Sequence, residues 1–285
     1  MPMEIIRIPI GKSIELAIDL FTEHMSFITK AFSEITENGI DILVNGMMFF
    51  PTWVLIGFFT ALAYSLSRKK GITLFTLIGL LLIWNMGLWA PTVSTIALVL
   101  ISTLIAIAIG LPLGILASLS TNSYRVIMPI LDVMQTMPAF VYLIPAIPLF
   151  GLGPVGAIFS TVIFAMPPAI RLTCLGIKQV PVELVEAADA FGSTKGQKLF
   201  KLQLPMATPT IMAGINQTIM LALSMVVIAS MIGAKGLGGE VWKAIQRLQP
   251  DKGFEAGIAI VIIAMILDRV MQGVGRKSRG MVHAE

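Results

Sequence analysis

Apolar residues run through this chain in long uninterrupted stretches, not in the alternating pattern of strands or the one-sided pattern of soluble helices. No Asp, Glu, Lys or Arg occurs from Gly71 to Tyr124, from Val133 to Ile170, or from Leu202 to Ala234. About 20 apolar residues cross a bilayer as a helix, and each stretch is longer. Turn chemistry divides two of them. Trp89-Ala90-Pro91-Thr92 sets an interfacial tryptophan beside a proline, and Gly151-Leu152-Gly153-Pro154 is a loop signature. The pattern predicts seven spans, near 46–67, 72–89, 93–117, 127–150, 154–171, 209–232 and 255–273. The last is the most charged, since Glu255, Asp268 and Arg269 leave twelve uncharged residues between them.

The first 45 residues follow another rule. Ile14, Ile18, Phe21, Met25, Ile28, Phe32 and Ile35 recur at spacings of four and three, one apolar seam of a helix. Ser13 is suited to cap its start and Asn38-Gly39 to stop it. The favoured reading is a helix lying flat on the outer membrane interface; the other is a seam that packs against a second copy. The chain thus divides into an external tail, 1–45, and a membrane domain, 46–285.

Composition and charge sharpen this picture. Of 285 residues, 56% are hydrophobic and 13% charged, with mean hydropathy +0.89; soluble domains carry about 25% charge. A soluble enzyme, a disulfide scaffold and a disordered chain are excluded. Counting Lys and Arg in the loops gives twelve on the face of Arg68, Lys69, Lys70, Arg125, Arg171, Lys178, Lys195, Lys198, Lys201, Arg276, Lys277 and Arg279. Arg7, Lys12, Lys30, Lys235, Lys243, Arg247 and Lys252 give seven on the other. The richer face is cytoplasmic by the positive-inside rule, which puts the amino end outside and the carboxyl end inside. The tail's seven acidic and three basic groups suit translocation. The net charge of +4 is loop charge of this kind; no basic stripe with interleaved aromatics points to nucleic acid. Cys174 reads as apolar filler, and His24 and His283 are too far apart for a metal site. MPMEIIRIPIGKS lacks the pattern of a signal peptide.

The segment 178–205 is the long cytoplasmic connection between spans five and six. Pro181 suits a first helical turn and Gly192 a left-handed helix end. Ser193 is placed to cap a second helix that Pro205 ends. Two short helices therefore meet at a glycine bend on the water side. Within them, Glu186-Ala187-Ala188, Gly192, Leu202 and Leu204-Pro205 resemble the EAA signature of binding-protein-dependent ABC importer permeases. The resemblance implies that this loop docks on a cytoplasmic ATPase, with the alanines permitting close approach and Glu186 anchoring the contact. Leu202 stands where isoleucine is commoner. Three further runs, 134–145, 163–171 and 214–225, resemble the permease subunit of glycine betaine/proline betaine importers, the bacterial osmoprotectant uptake systems. This likeness extends from about residue 45 to 275, and the tail resembles the family's short Gram-positive form.

The spans carry their own chemistry. Pro138, Pro145 and Pro148 fall in span four and Pro167-Pro168 in span five. Interior prolines free backbone groups that only neighbours or a wet cavity can satisfy, so they mark either packing irregularity or a pathway wall. Gln135, Thr136, Asn216, Gln217 and Ser224 are neutral hydrogen-bonding groups, suited equally to passing a zwitterion and to gluing helices together. With Pro138 they form the candidate translocation pathway. Asp132 and Asp268 are ionisable groups inside spans. They would serve a proton-coupled carrier, the main rival; ion pairing near the cytoplasmic end is the structural reading. In the external loop, Gly236-Leu237-Gly238-Gly239 precedes a helical pattern, and Lys235, Trp242, Lys243 and Arg247 form the candidate dock for a binding protein.

No G-x-x-x-x-G-K-[ST] loop is present to cradle ATP, and Trp53, Trp84, Trp89 and Trp242 are too scattered for an ammonium cage. The expectation is an all-α polytopic bundle with the type I ABC importer permease fold, about seven spans and an N-terminal amphipathic helix. It is a non-enzymatic subunit without a cofactor of its own. The expected partners are two cytoplasmic ATPase subunits that bind ATP and magnesium, a second copy of itself, an extracytoplasmic binding protein and the lipid bilayer. The remaining alternative is a membrane scaffold without transport.

Overall fold

The structure, a computed structural model, describes residues 26–282 and, before them, Gly11, Lys12, Leu16, Leu20, Glu23 and His24. Ser13, Ile14, Ile18, Phe21 and Met25 of the expected tail helix lie outside the described residues, as do Arg7, His283 and the side chains of Ile28, Arg276, Lys277 and Arg279. Among the described residues every regular element is helical.

The tail helix, α1 (Ser26–Phe49), does not stop at Asn38-Gly39. A side chain at Gly39 would sit 3.7 Å from the Ile101 methyl, so the glycine lies where two helices approach and not at a helix end. Phe32 packs 5.3 Å from Phe150 and 6.4 Å from Phe159, ring to ring, and Thr36 is buried. One face of α1 therefore lies against its own chain. Another bears Phe27, Ile35, Ile42 and Phe49, all exposed. The chain then bends by 106° at Pro51, because a residue preceding proline resists the α conformation. Positions 46–49, expected in span one, thus belong to α1, and α2 (Thr52–Ser67) begins beyond them.

α2 and α3 (Lys70–Asn85) form a hairpin closed by Arg68 in the left-handed conformation, φ 53°. Each has 16 residues and so reaches about 24 Å at 1.5 Å per residue, slightly short of the hydrocarbon thickness. α4 (Trp89–Leu119) is a full span of 31 residues with Pro112 inside it. Span four, expected to be continuous over 127–150, is broken. α5 (Thr121–Thr136) turns by 112° at Met137-Pro138 into a 3-10 turn (Ala139–Tyr142) and α6 (Leu143–Phe150). The lack of charge from Val133 onward hides this bend, although Gln135-Thr136 and Pro138 mark its place. The Tyr142 hydroxyl pins it by donating to the Met134 carbonyl.

α7 (Pro154–Ala165) and α8 (Pro167–Lys178) make one 25-residue span stepped at Met166. Pro167 and Pro168 open α8, where a missing N–H costs nothing. After the cytoplasmic loop come α11 (Leu204–Ala229), the external α12 (Leu237–Gln246) and α13 (Pro250–Val282). Among the described residues, three helices are long and apolar enough to cross a membrane unaided, and each bent pair counts as one more. α3 is apolar but shorter, at 16 residues.

The packing centre is α8 held between α4 and α11. A Cβ at Gly114 of α4 would meet Thr173 Cβ at 2.6 Å, and one at Gly110 would meet Ala169 Cβ at 3.0 Å. On the other side, Gly176 would meet Thr210 Cβ at 3.0 Å and Gly214 the Pro168 carbonyl at 3.0 Å. Without a hydrophobic drive in lipid, small residues of this kind let helix backbones close together. Three buried hydroxyls are met within the bundle: Ser160 donates to the carbonyls of Gly156 and Tyr142, Thr161 to Ala157 and Thr218 to Gly214. Those of Thr92, Ser102, Thr103 and Thr173 have no hydrogen-bond partner among the described residues.

Candidate functional site

The loop between α8 and α11 consists of α9 (Val182–Ala190), α10 (Lys195–Lys198) and a π turn (Leu199–Gln203). Gly192 sits at φ 74°. Its N–H donates to Asp189 O at 2.9 Å and that of Ser193 to Ala188 O at 3.0 Å, the paired bonds of a Schellman termination. The bend expected at Gly192 is thus built from backbone alone.

Two details differ from expectation. The second helix is capped by Thr194, not Ser193. The Thr194 hydroxyl accepts from Gln197 N–H at 3.3 Å, while Gln197 Oε1 accepts from Thr194 N–H at 2.9 Å. The Thr-x-x-Gln box outcompetes the serine, whose backbone is already spent on ending α9. Nor does Pro205 end the helix before the span. The π turn widens the ladder so that Leu204 N–H reaches Leu199 O, and the proline takes the second position of α11 without colliding with a carbonyl one turn back. The loop therefore runs into α11 as one continuous helical rod.

Leu204 packs against a small cluster of Ile177, Leu199 and Ala207, and Leu202 is half-buried. These seat the rod against the end of α8. By contrast α9 buries no residue at all. Glu186 and Ala187 are exposed and Ala188 half-buried. Val182, Leu184 and Phe191 stand exposed beside them, Phe191 at 90%. Such a helix is shaped for a partner. One contact that sequence spacing did not reveal braces it: Lys198 Nζ lies 2.7 Å from each carboxylate oxygen of Asp189. An acidic residue nine positions before a lysine across a glycine turn was its only signal.

The candidate pathway residues separate. Gln135, Thr136 and Pro138 gather at the α5–α6 bend, exposed. Gln217 and Ser224 are seven residues apart on one exposed face of α11. Asn216 faces elsewhere: its amide donates to Asp268 Oδ1 of α13 at 2.9 Å, and Gln272 Nε2 donates to Oδ2 at 2.8 Å. Asn216 thus acts as a strut between α11 and α13. Asp132 forms an ion pair with Arg171 of α8. Each carboxylate thus has a partner on another helix.

Three of the four external residues, Lys235, Trp242 and Lys243, come together with Glu240 in a groove of about 430 Å³; Arg247 lies outside its lining. Gly236 just before α12 and Gly238 inside it allow the helix to dock. A Cβ at Gly238 would lie 2.7 Å from Val227 Cα and one at Gly236 2.6 Å from Thr95 Oγ1. That hydroxyl accepts from Leu237 N–H at 2.8 Å and serves as a cap borrowed from α4. Lys243 pairs with Glu240 at 2.8 Å, whereas Arg247 is exposed with no ion pair among the described residues.

Residues 110–280 match the family described as the binding-protein-dependent transport system inner membrane component. The glycine betaine transport system permease protein OpuAB of Bacillus subtilis is 54% identical over 96% of this chain and 98% of its own length. The glycine betaine/carnitine transport permease protein GbuB of Listeria monocytogenes is 51% identical, covering 95% and 97%. Among solved structures, an inward-facing MetNI methionine ABC transporter chain superposes with a TM-score of 0.61 over 74% of this chain and 99% of that one, at 20% identity. The last likeness is one of fold: the type I permease bundle.

Proposed function

Because the chain belongs to the binding-protein-dependent transport system inner-membrane family, we propose that it is the membrane-spanning subunit of a bacterial ATP-driven importer for glycine betaine or a related quaternary-amine osmoprotectant. It is a transporter component and a multi-pass inner-membrane protein. Its loop 178–205 is the coupling element, with Glu186, Ala187, Ala188 and Gly192 at the contact and Leu202, Leu204 and Pro205 joining it to α11. The observation that carries this role is that α9 buries nothing in its own chain while exposing Val182, Leu184 and Phe191.

Two copies related by a twofold axis would carry two ATPases, which bind the ATP and magnesium, on the cytoplasmic face. A substrate-loaded binding protein would dock outside on the groove of Lys235, Trp242 and Lys243 and on Arg247 at the end of α12. The amino end lies outside and the carboxyl end inside. Closure of the ATPase pair pushes the two loops as rigid bodies and switches the passage between its two openings. Gln135, Thr136, Pro138, Gln217 and Ser224 line that passage, and their neutrality lets a zwitterion pass without being trapped. Specific capture of substrate belongs to the binding protein.

The test is uptake of labelled glycine betaine at high salt in a bacterium lacking its own osmolyte importers, co-expressing the ATPase and binding protein. Uptake should require the ATPase and collapse on Glu186→Lys. Uptake by this chain alone, abolished by an uncoupler, would overturn the assignment in favour of the carrier.

A further inference from the structure

α5 carries the Gln135-Thr136-Met137-Pro138 bend at its end, yet little apolar packing holds it. Leu131, 2% exposed, is its single fully buried side chain. Pro129 also deprives it of an internal hydrogen bond. What fastens α5 is polar. Asp132 pairs with Arg171 of α8, and Lys178 Nζ of α8 sits 3.4 Å from the centroid of the Tyr124 ring. The partners are seven residues apart on α8 and eight apart on α5, so the helices run antiparallel and are stapled twice over about 11 Å. α8 is locked into α4 and α11 by the glycine contacts, and it ends at Lys178, just before α9 begins at Val182.

Resting on the coupling role given above to α9, we propose that Arg171 and Asp132 are positioning residues for transport. Their contact makes the α5–α6 bend travel with the α4–α8–α11 body that carries the coupling loop. Lys178 over Tyr124 is the second staple. A stroke delivered to α9 reaches α8 and α11 through the backbone and through their packed glycines. It reaches Gln135, Thr136 and Pro138 from one side through Tyr142, whose hydroxyl donates to Met134 and whose carbonyl accepts from Ser160 of α7. From the other side it reaches them if α5 follows, and apolar packing alone gives α5 little reason to do so. Arg suits this place because its rigid fork holds a carboxylate in one orientation, which an ammonium does not.

The experiment uses the complete assembly, permease with ATPase and binding protein, in proteoliposomes. Labelled glycine betaine uptake and ATP hydrolysis are measured on the same vesicles. Asp132→Asn and Arg171→Gln should leave binding-protein-stimulated hydrolysis within about two-fold of the unaltered assembly while lowering uptake per ATP by about five-fold or more. Arg171→Lys should fall between. The exchange Asp132→Arg with Arg171→Asp should recover at least half of the lost ratio, which ties the effect to the contact between the two side chains; a loss of general stability would instead lower hydrolysis and uptake together. The inference is overturned if the single variants keep the normal uptake per ATP, or if hydrolysis and uptake fall by one common factor that the exchange does not recover. Should the ion-pair variants fail to assemble, Tyr124→Leu decides, since it breaks only the outer staple: a lowered ratio supports the contact and an unchanged one overturns it. Absence of uptake by the unaltered assembly is a different result, the signature of a wrong importer assignment.

Discussion

Lys198 reaches back across the glycine bend to grip both carboxylate oxygens of Asp189 at 2.7 Å. It fixes the angle between α9 and the rod that continues into the membrane. The lysine side chain is 19% exposed and the aspartate 55%, so water screens the pair and its stability contribution is at most about 1 kcal/mol. Its effect should be on docking. Asp189→Ala should barely change the melting temperature yet weaken ATPase binding about three- to ten-fold, because a loop free to swing pays ordering entropy on docking. Titration of the purified permease with its ATPase measures this, and Asp189→Lys with Lys198→Asp should restore the affinity.

Gly192 isolates the backbone requirement. Its φ is 74° and a Cβ there would meet nothing within 4 Å, so a substitution is felt only as strain. Gly192→Ala should cost about 1–2 kcal/mol in the left-handed conformation. Gly192→Asn should cost less and Gly192→Val more. Uptake rates should rank Gly, Asn, Ala, Val; a rank that follows side-chain size alone, with Ala above Asn, would contradict this account of the bend.

Thr95 and Gly238 hold α12 in place. Thr95→Val removes the acceptor for Leu237 N–H and should lower stability by about 1 kcal/mol, as for loss of a helix cap. Gly238→Ala forces a methyl toward the Val227 backbone and should cost about 1–3 kcal/mol by overpacking. Thermal unfolding of the detergent-solubilised permease would show both losses. If the groove is the dock, capture of the binding protein should suffer as well.

In the docking role proposed for them, Arg247 and Lys243 should differ. Lys243 already has Glu240 as its neighbour, while Arg247 has no such partner among the described residues. Arg247→Glu should therefore weaken binding-protein capture more than Lys243→Glu, by about ten-fold against about three-fold at low salt. Both effects should shrink as salt screens them. Affinity of the loaded binding protein for permease in nanodiscs, measured at two salt concentrations, decides the matter.

Much of the site was legible before the structure. The Gly192 bend, the two-helix loop and the glycine run before α12 all follow from local chemistry, because left-handed ends and close approaches admit few residue types. What local chemistry left open depended on competition between neighbours. Ser193 and Thr194 are both caps, and only the backbone demand of the preceding Schellman turn decides for Thr194. Asn38-Gly39 reads as a stop until Ile101 supplies a reason for a glycine inside a helix. The break at Pro138 lies in a run without a charge from Val133 to Ile170; its local signals were the polar Gln135-Thr136 and the proline itself, which the absence of charge outweighed. Asn216 reads as a pathway residue beside Gln217, although consecutive positions on a helix face directions about 100° apart; Asp268, 52 residues away, claims it.

The π turn at Leu199–Gln203 has an evolutionary and mechanical meaning. A π turn is an α-helix that has accepted one surplus residue. Deleting one residue there, Gln203 for instance, would return the rod to regular geometry and relieve nothing, since Pro205 would then press on the ladder. It would also rotate everything upstream by about 100° relative to α11. α9 would stay folded and still carry Glu186, but would present the wrong side to the cytoplasm. The azimuth of the helix proposed to receive the ATPase stroke is thus indexed by a single amino acid, like a gear set one tooth forward on its shaft.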